Sequence, residues 1–153
     1  MLLYASVGIS ELEIPTKQSL VIYISNCQHK CKNCHTPYLH DSFGDSLKDN
    51  FQTIFNIYYN YFDVVCFMGE GKESIKEKDE MIKYCKFIHD NNKKAALYCG
   101  RDCYIESWMK CFDYVKIGSY QEEKGPIVKK TSNQKLFKKE NNKYKDITYM
   151  FWK

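Results

Sequence analysis

Residues 20–35 read LVIYISNCQHKCKNCH, an apolar run followed at once by three cysteines within eight residues. The first six residues are mostly β-branched, aromatic or aliphatic, which predicts a short buried strand over 20–25. Cys27, Cys31 and Cys34 come next with the spacing Cys-x3-Cys-x2-Cys. Thiolates this close in sequence can converge on one inorganic centre. The stretch therefore predicts a metal or cluster site that follows the end of a strand.

Three thiolates leave one ligand position open. An iron–sulfur cluster held entirely by protein normally takes four cysteines, and an open metal position is typical of catalytic rather than structural sites. Structural zinc is the main alternative, with His29 or His35 as the fourth ligand. Chance clustering is another reading, because the chain has eight cysteines. A disulfide within the stretch is less favoured, since neighbouring loop cysteines bridge poorly and the compartment is predicted to be reducing.

Length and composition predict one globular domain. The chain has 153 residues, of which 44% are hydrophobic, so it can bury a core without disulfide bonds. Residues 1–5 lack the features of a signal peptide, and no apolar run reaches the ~20 residues of a membrane span. These features predict a cytoplasmic protein with no membrane association.

The charge balance is mildly positive. The 23 basic and 19 acidic residues give a net charge of +4. Lysines concentrate between residues 129 and 145, and a solvated basic surface is the favoured interpretation over a nucleic-acid interface. No nucleic-acid partner is predicted.

Two serines mark the starts of predicted helices. Ser46 is followed three residues later by Asp49, and Ser74 by Glu77, which is the spacing of a capping box. Apolar residues then recur every three to four positions, which predicts amphipathic helices over 47–61 and 75–90. The inner face of the second helix is predicted to carry Ile75, Ile82, Cys85 and Ile88.

Further apolar runs predict the remaining elements. The predicted strands cover residues 2–7, 63–68, 94–99 and 113–119, with a short helix capped by Asp102 and a final hairpin of 134–138 and 144–151 that turns at Asn141 and Asn142. Alternating strands and helices favour a parallel sheet with right-handed crossovers. In such sheets, the loops that carry binding and catalytic residues lie at the carboxyl ends of the strands. Residues 27–34, 69–71 and 99–102 all follow strands, so we expect them on one edge.

Several pieces of the chain resemble one family. The cysteine spacing with His35 behind it, followed by a Gly-Glu-Gly loop after the second strand of the core, resembles the radical S-adenosylmethionine (SAM) superfamily. Among its members, the chain is most similar to the anaerobic ribonucleoside-triphosphate reductase activating proteins. The pieces that carry this closer resemblance are 67–70 (FMGE), 113–120 (DYVKIGSY) and 132–134 (SNQ).

The resemblance implies a fold and a domain organisation. The expected fold is α/β, an incomplete (β/α) barrel of the radical SAM type that is open on one side. Residues 1–153 are expected to form one radical SAM domain, with a core of about residues 18–120 and a C-terminal extension over 121–153.

The resemblance also implies a reaction. Cys27, Cys31 and Cys34 are expected to ligate three irons of a [4Fe-4S] cluster, whose fourth iron binds the amino and carboxylate groups of SAM. Reductive cleavage of SAM is expected to yield a 5′-deoxyadenosyl radical. That radical takes hydrogen from a glycine of the large subunit of the anaerobic (class III) reductase and leaves a glycyl radical. A flavodoxin or a ferredoxin-type protein is the implied electron donor.

The remaining candidate residues are assigned to SAM. Asn33 and His35 are expected to meet the adenine, and the loop of Gly69, Glu70 and Gly71 to receive the methionine ammonium. An ordinary turn is the alternative for that loop. Lys116 and Ser119 are candidates for the SAM carboxylate or ribose, although a solvent-facing lysine is the favoured interpretation of Lys116.

Alternative functions stay open at this point. One is another radical SAM enzyme, with a different glycyl-radical protein or a small molecule as substrate. The other is a zinc-binding interaction or nucleic-acid module. Cys99, Arg101 and Cys103 lie near the expected site and have no assigned role; they fit either a second metal centre or two ordinary structural thiols.

Overall fold

The computed structural model describes residues 2–25, 44–71 and 74–152, which contain eight strands and two α-helices. The strands are β1 (Leu3–Ser10), β2 (Ser19–Ile24), β3 (Asp45–Ser46), β4 (Val64–Met68), β5 (Lys94–Tyr98), β6 (Tyr114–Ile117), β7 (Lys135–Glu140) and β8 (Lys143–Asp146). The helices are α1 (Leu47–Tyr58), extended by a 3-10 turn over Tyr59–Tyr61, and α2 (Ile75–Asp90). Two further 3-10 turns cover Ser107–Cys111 and Thr148–Phe151.

All eight strands belong to one mixed sheet in the order β3-β1-β2-β4-β5-β6-β7-β8. The four central strands β2, β4, β5 and β6 pair in parallel. On one side β1 pairs antiparallel with β2, and β3 pairs antiparallel with β1. On the other side β7 pairs antiparallel with β6, and β8 with β7. The parallel centre is therefore extended at both edges by antiparallel strands.

This architecture corrects the expected fold. The incomplete (β/α) barrel is wrong: the described residues form an open eight-stranded mixed sheet with two α-helices. The third strand–helix unit contains only the 3-10 turn Ser107–Cys111 where a helix capped by Asp102 was expected. Asp102 is not available as a cap, because its carboxylate accepts hydrogen bonds from Ser119. The antiparallel edge strands replace the further parallel units that a barrel requires.

Both α-helices begin where the sequence predicts. The hydroxyl of Ser46 accepts a hydrogen bond from the backbone N–H of Asp49 at 3.4 Å. The hydroxyl of Ser74 does the same for Glu77 at 3.3 Å. Each bond satisfies a backbone donor that the first turn of a helix leaves without an intrahelical partner.

Side chains pack on both faces of the sheet. One face carries the larger core, where α1, α2 and the turn Ser107–Cys111 cover β2, β4, β5 and β6. Phe51 of α1 stacks on Tyr84 of α2 with ring centroids 4.4 Å apart, which joins the helices to each other. The opposite face is covered by connecting segments that contribute Ile14, Ile127 and Ile147. None of the helices in the described ranges combines the length and apolar character needed to cross a membrane.

The C-terminal hairpin confirms the predicted turn. Asn141 and Asn142 link β7 to β8, and both have positive φ, 51° and 64°. A two-residue hairpin loop with positive φ at both positions is the I′ arrangement, which asparagine and glycine tolerate best. The second strand ends at Asp146, earlier than predicted, and the 3-10 turn Thr148–Phe151 follows.

We expect Asn142→Ala to lower the free energy of unfolding by about 1 kcal/mol, because a β-carbon without a local hydrogen-bonding group disfavours the left-handed conformation. Asn142→Gly is the matched control and should leave stability unchanged or raise it, since glycine adopts positive φ freely. Urea unfolding followed by circular dichroism measures both. Equal losses in the two variants would contradict a conformational origin.

Candidate functional site

The carboxyl ends of the four parallel strands share one edge of the sheet. Beyond these ends lie Ser25 after β2, residues 69–71 after β4, residues 99–102 after β5 and Gly118 with Ser119 after β6. Backbone hydrogen bonds continue the pairing past the strands. The N–H of Gly69 donates to the carbonyl of Tyr98 at 3.0 Å, and that of Gly118 to the carbonyl of Arg101 at 2.9 Å. The prediction that residues 69–71 and 99–102 share an edge is confirmed.

The predicted cluster ligands lie outside the described residues. Cys27, Cys31 and Cys34 fall within 26–43, together with the predicted adenine contacts Asn33 and His35. The described chain reaches Ser25, whose N–H donates to the carbonyl of Leu3 at 3.0 Å, and the sequence continues directly into the cysteine stretch. The strand that precedes the cysteines is therefore fixed at the same edge as the other loops.

The two glycines of the Gly-Glu-Gly loop both have positive φ, and each lies against a different neighbour. Gly69 has φ +113° and lies beside β2: a β-carbon on it would be 3.5 Å from the β-carbon of Ile24. Gly71 has φ +72°, and a β-carbon there would come within 2.6 Å of Leu2. Gly71 is required by its backbone conformation, and the absence of a side chain there also leaves room for the end of the Leu2 side chain. Gly69 is required by its backbone conformation, and it brings the loop against the end of β2.

Glu70 forms a buried ion pair with Arg101. Its side chain is 3% exposed, and its two oxygens accept from Nη2 at 2.9 Å and from Nε at 3.1 Å of the guanidinium. This two-bond geometry is the strongest form of a carboxylate–guanidinium contact. Arg101 also donates from Nη1 to Glu106 at 3.2 Å, and this contact lowers the pKa of Glu106. The ion pair joins the loop after β4 to the loop after β5.

Two thiols adjoin this ion pair. The sulfur of Cys99 donates to Oε2 of Glu70 at 3.1 Å and lies 3.9 Å from the sulfur of Cys103. Cys99 is 2% exposed and Cys103 is half-buried. Burial and the neighbouring Glu70 carboxylate raise the pKa of Cys99 far above its ordinary value.

Asp102 holds the loop after β6. Its carboxylate accepts from the backbone N–H of Ser119 at 2.9 Å and from the hydroxyl of the same residue at 2.9 Å. The side-chain amide of Asn133 donates to the same carboxylate. These hydrogen bonds lower the pKa of Asp102. The predicted SAM residue Ser119 is thus tied to the loop after β5.

Lys116 lies away from the other described candidates. Its neighbours Val115 and Ile117 pack against the helical core, and alternation along β6 therefore directs Lys116 to the opposite face. Its ammonium is 4.5 Å from the centre of the Tyr98 ring. Burial lowers the pKa of Lys116, and the carboxylate of Glu13 acts in the opposite direction.

Sequence reasoning missed how the loops are connected. It left Arg101 without a role and assigned Asp102 to a helix cap, whereas both are tied to neighbouring loops by their side chains. One available signal was the density of charged and thiol side chains after β5, at Cys99, Arg101, Asp102 and Cys103. The partners, Glu70 and Ser119, are too distant in sequence for any local pattern to identify.

The comparisons with family models, curated proteins and solved structures found no match to this chain. Within residues 2–25, 44–71 and 74–152, no three His, Cys, Asp or Glu side chains are placed to hold a metal ion. The predicted metal ligands are in the range 26–43, to which that finding does not apply. The function is therefore inferred from the chemistry of the residues that share the carboxyl edge.

We expect Arg101→Met to lower the free energy of unfolding by about 3 kcal/mol, because it removes the guanidinium that neutralises the buried Glu70 carboxylate. Combining it with Glu70→Gln should recover part of the loss, since the buried charge is then gone. Glu106→Gln is the control. It removes a carboxylate that is 38% exposed and should cost less than about 1 kcal/mol. Similar losses in Arg101→Met and Glu106→Gln, measured by urea unfolding, would contradict the importance of the buried pair.

We expect the stabilisation from Asp102 to depend on pH. Its folded-state pKa is lowered, so the contribution is present above the unfolded pKa of about 4 and is lost as the pH falls through the folded value. At neutral pH, Asp102→Asn should cost at most about 1 kcal/mol because the carboxylate is exposed. The difference from the parent protein should shrink towards zero in acid. A constant difference across an acid titration of stability would count against this role.

Proposed function

We propose that this protein is a radical SAM enzyme that activates anaerobic ribonucleoside-triphosphate reductase by forming its glycyl radical. One observation carries the proposal: β2, which leads into the three cysteines, pairs in parallel with β4, which leads into Gly69–Gly71. Both stretches therefore start from adjacent points on one edge. A cluster that binds the methionine end of SAM requires its cysteine ligands and the loop that receives the methionine ammonium to be adjacent.

The residues present fit the cofactors. Three cysteines supply thiolates for three irons of a [4Fe-4S] cluster and leave one iron for SAM. Gly69 lies against Ile24, only three residues before Cys27. A loop that turns at two glycines can bring backbone carbonyls close to an ammonium group. When bound, the cluster and SAM would supply the radical chemistry that removes a hydrogen atom from a glycine of the partner.

The chain's own residues hold and orient that chemistry. Cys27, Cys31 and Cys34 ligate the cluster, and Asn33 and His35 meet the adenine. The backbone of residues 69–71 receives the methionine ammonium, while Glu70, already bound to Arg101, holds that loop to the next one. Ser119, at the end of β6 and hydrogen-bonded to Asp102, is the candidate for the SAM carboxylate or ribose. Lys116 is the weaker candidate for the same role, because its ammonium lies over the Tyr98 ring on the face away from the helices.

The partners follow from the same proposal. The hydrogen donor is a glycine of the large reductase subunit, and a flavodoxin or ferredoxin-type protein delivers the electron. The proposal includes a cytoplasmic location, where cysteine thiols are kept reduced and can serve as ligands. No nucleic acid and no membrane take part.

We expect the protein to bind a [4Fe-4S] cluster after anaerobic reconstitution with iron and sulfide and, once reduced, to cleave SAM to 5′-deoxyadenosine. Cys27→Ala, Cys31→Ala and Cys34→Ala should each lose nearly all product, because each removes an iron ligand. Cys111→Ala is the matched control and should retain activity, since Cys111 lies outside the stretch. Cluster absorbance and chromatography of the product measure the outcome.

The alternatives give different results in the same experiment. A colourless protein that holds one tightly bound zinc ion would overturn the proposal in favour of a binding module. SAM cleavage without a glycyl radical on an anaerobic ribonucleotide reductase, read by electron paramagnetic resonance, would indicate another radical SAM substrate. A Cys31→Ala variant that still produces the radical would contradict the ligand assignment.

A further inference from the structure

Two cysteines with no role in the proposed function meet at the carboxyl end of β5. Cys99 and Cys103 are both free thiols, and their sulfurs are 3.9 Å apart. A disulfide needs the sulfurs to approach to about 2.05 Å, a movement of the order that side-chain rotation can supply. The oxygen of a carboxylate, Oε2 of Glu70, is 3.1 Å from the sulfur of Cys99. The two thiols, of Cys99 and Cys103, therefore lie beside a carboxylate that can accept a proton, that of Glu70.

We propose that Cys99 and Cys103 form a reactive dithiol that closes to a disulfide by exchange with low-molecular-weight disulfides. Two protein thiols and one small disulfide are converted into one protein disulfide and two small thiols. The protein loses two electrons and two protons, and the small disulfide gains both. The pair is independent of the iron–sulfur cluster and goes beyond the proposed activity.

The exposure of the two thiols sets the order of the steps. Cys103 is half-buried and therefore more accessible to a small disulfide than Cys99. Burial raises the pKa of the Cys103 thiol, so the first step proceeds through the small fraction that is thiolate. Its thiolate attacks one sulfur of the small disulfide, and the first small thiolate leaves and takes up a proton. Cys99 is 2% exposed and cannot meet the small molecule directly. It attacks the Cys103 sulfur of the mixed disulfide from inside and releases the second small thiol.

Glu70 is placed to assist the second step. A buried thiol ionises reluctantly, and burial raises the pKa of Cys99, so attack requires that its proton be taken away. Oε2 of Glu70 already accepts that proton in a hydrogen bond. The proton passes through the carboxylate to the departing thiolate. Arg101 holds the carboxylate in position through two hydrogen bonds.

Cys66 and Cys85 are too buried to meet a small disulfide directly. Cys66 is fully buried within the sheet, and burial raises its pKa. The thiol of Cys85 is also fully buried and donates to the backbone carbonyl of Cys111 at 2.8 Å. Cys111 is half-buried, and its contact with Cys85 lowers the pKa of its thiol. Cys85 and Cys111 therefore form the competing pair that an experiment must distinguish.

Closure changes the site that the pair adjoins. Oxidation removes the S–H group that Cys99 donates to Glu70, and it tethers the end of β5 to the following loop. The Glu70 carboxylate belongs to the loop proposed to receive SAM. In a reducing compartment the pair stays open, and it closes when small disulfides accumulate, which is the usual role of an intracellular disulfide outside metal sites.

The sequence allows a direct test. Cleavage after lysine and arginine separates residues 95–101, which contain Cys99, from residues 102–110, which contain Cys103. Cys85 and Cys111 fall on two other peptides, 84–86 and 111–116. The anaerobically reconstituted full chain is treated with oxidised glutathione, its free thiols are alkylated, and its peptides are analysed by mass spectrometry. We expect peptides 95–101 and 102–110 to be cross-linked, and dithiothreitol to reverse the link.

Single variants test the order of the steps. Cys99→Ala should keep a stable glutathione adduct on Cys103, because no internal thiol displaces it. Cys103→Ala should leave Cys99 unmodified, because Cys99 is buried. Glu70→Gln should slow closure at least about tenfold, with the Cys103 adduct accumulating meanwhile. Cys111→Ser is the control and should close like the parent protein.

Other outcomes would overturn the proposal. A persistent glutathione adduct on Cys103 in the parent chain would show that Cys99 does not complete the reaction. A cross-link between peptides 84–86 and 111–116, without one between 95–101 and 102–110, would assign the reactivity to Cys85 and Cys111. Because the readout is a covalent bond, failure of SAM cleavage leaves this test unaffected, and failure of closure leaves the proposed activity standing.

Discussion

The parallel pairing of β2, β4, β5 and β6 determines where this protein can gather reactive side chains. These strands are largely buried on both faces, as parallel strands usually are. Most side chains within them serve packing, and most of the charged groups and thiols of the candidate site lie where the strands end. Because the four strands point the same way, all their following loops lie on one edge. The Glu70–Arg101 ion pair, the two thiols and the Asp102 carboxylate therefore lie close together at that edge, although Glu70 is distant from the others in sequence.

The buried Glu70–Arg101 pair gives that edge its internal order. Glu70 comes from the loop after β4 and Arg101 from the loop after β5, so their two hydrogen bonds fix one loop against the other. Asp102 then fixes the loop after β6 through Ser119. Loss of the Arg101 contact leaves the Glu70 carboxylate buried without its counter-ion. Loss of the Ser119 contact leaves the Asp102 carboxylate exposed to solvent. The first contact therefore contributes more to holding the site together.

Local pattern predicted the elements of this fold, but their arrangement only in part. The serine caps, both α-helices and the Asn141–Asn142 turn follow from chemistry within a few residues, and all are present. The direction of β1 could also have been deduced, because the connection over 11–18 is too short for a parallel crossover. The direction of β7 could not be deduced in this way. Its connection to β6 has 17 residues, which is long enough for either a parallel or an antiparallel strand. Ile75 and Ile82 were expected inside and are 79% and 37% exposed, because α2 turns Met81 and Tyr84 inward instead.

Asp102 shows why the site was harder to predict than the fold. A carboxylate at that position can accept a backbone N–H three residues on, as a helix cap, or one 17 residues on, as it does with Ser119. The acceptor chemistry is identical, so sequence alone does not choose between them. The choice is made by the sheet, which brings β6 beside β5 and carries Ser119 to Asp102. Residues whose partners follow neighbouring strands can be assigned only once the strand order is known. The same holds for Arg101, Cys99 and Glu70.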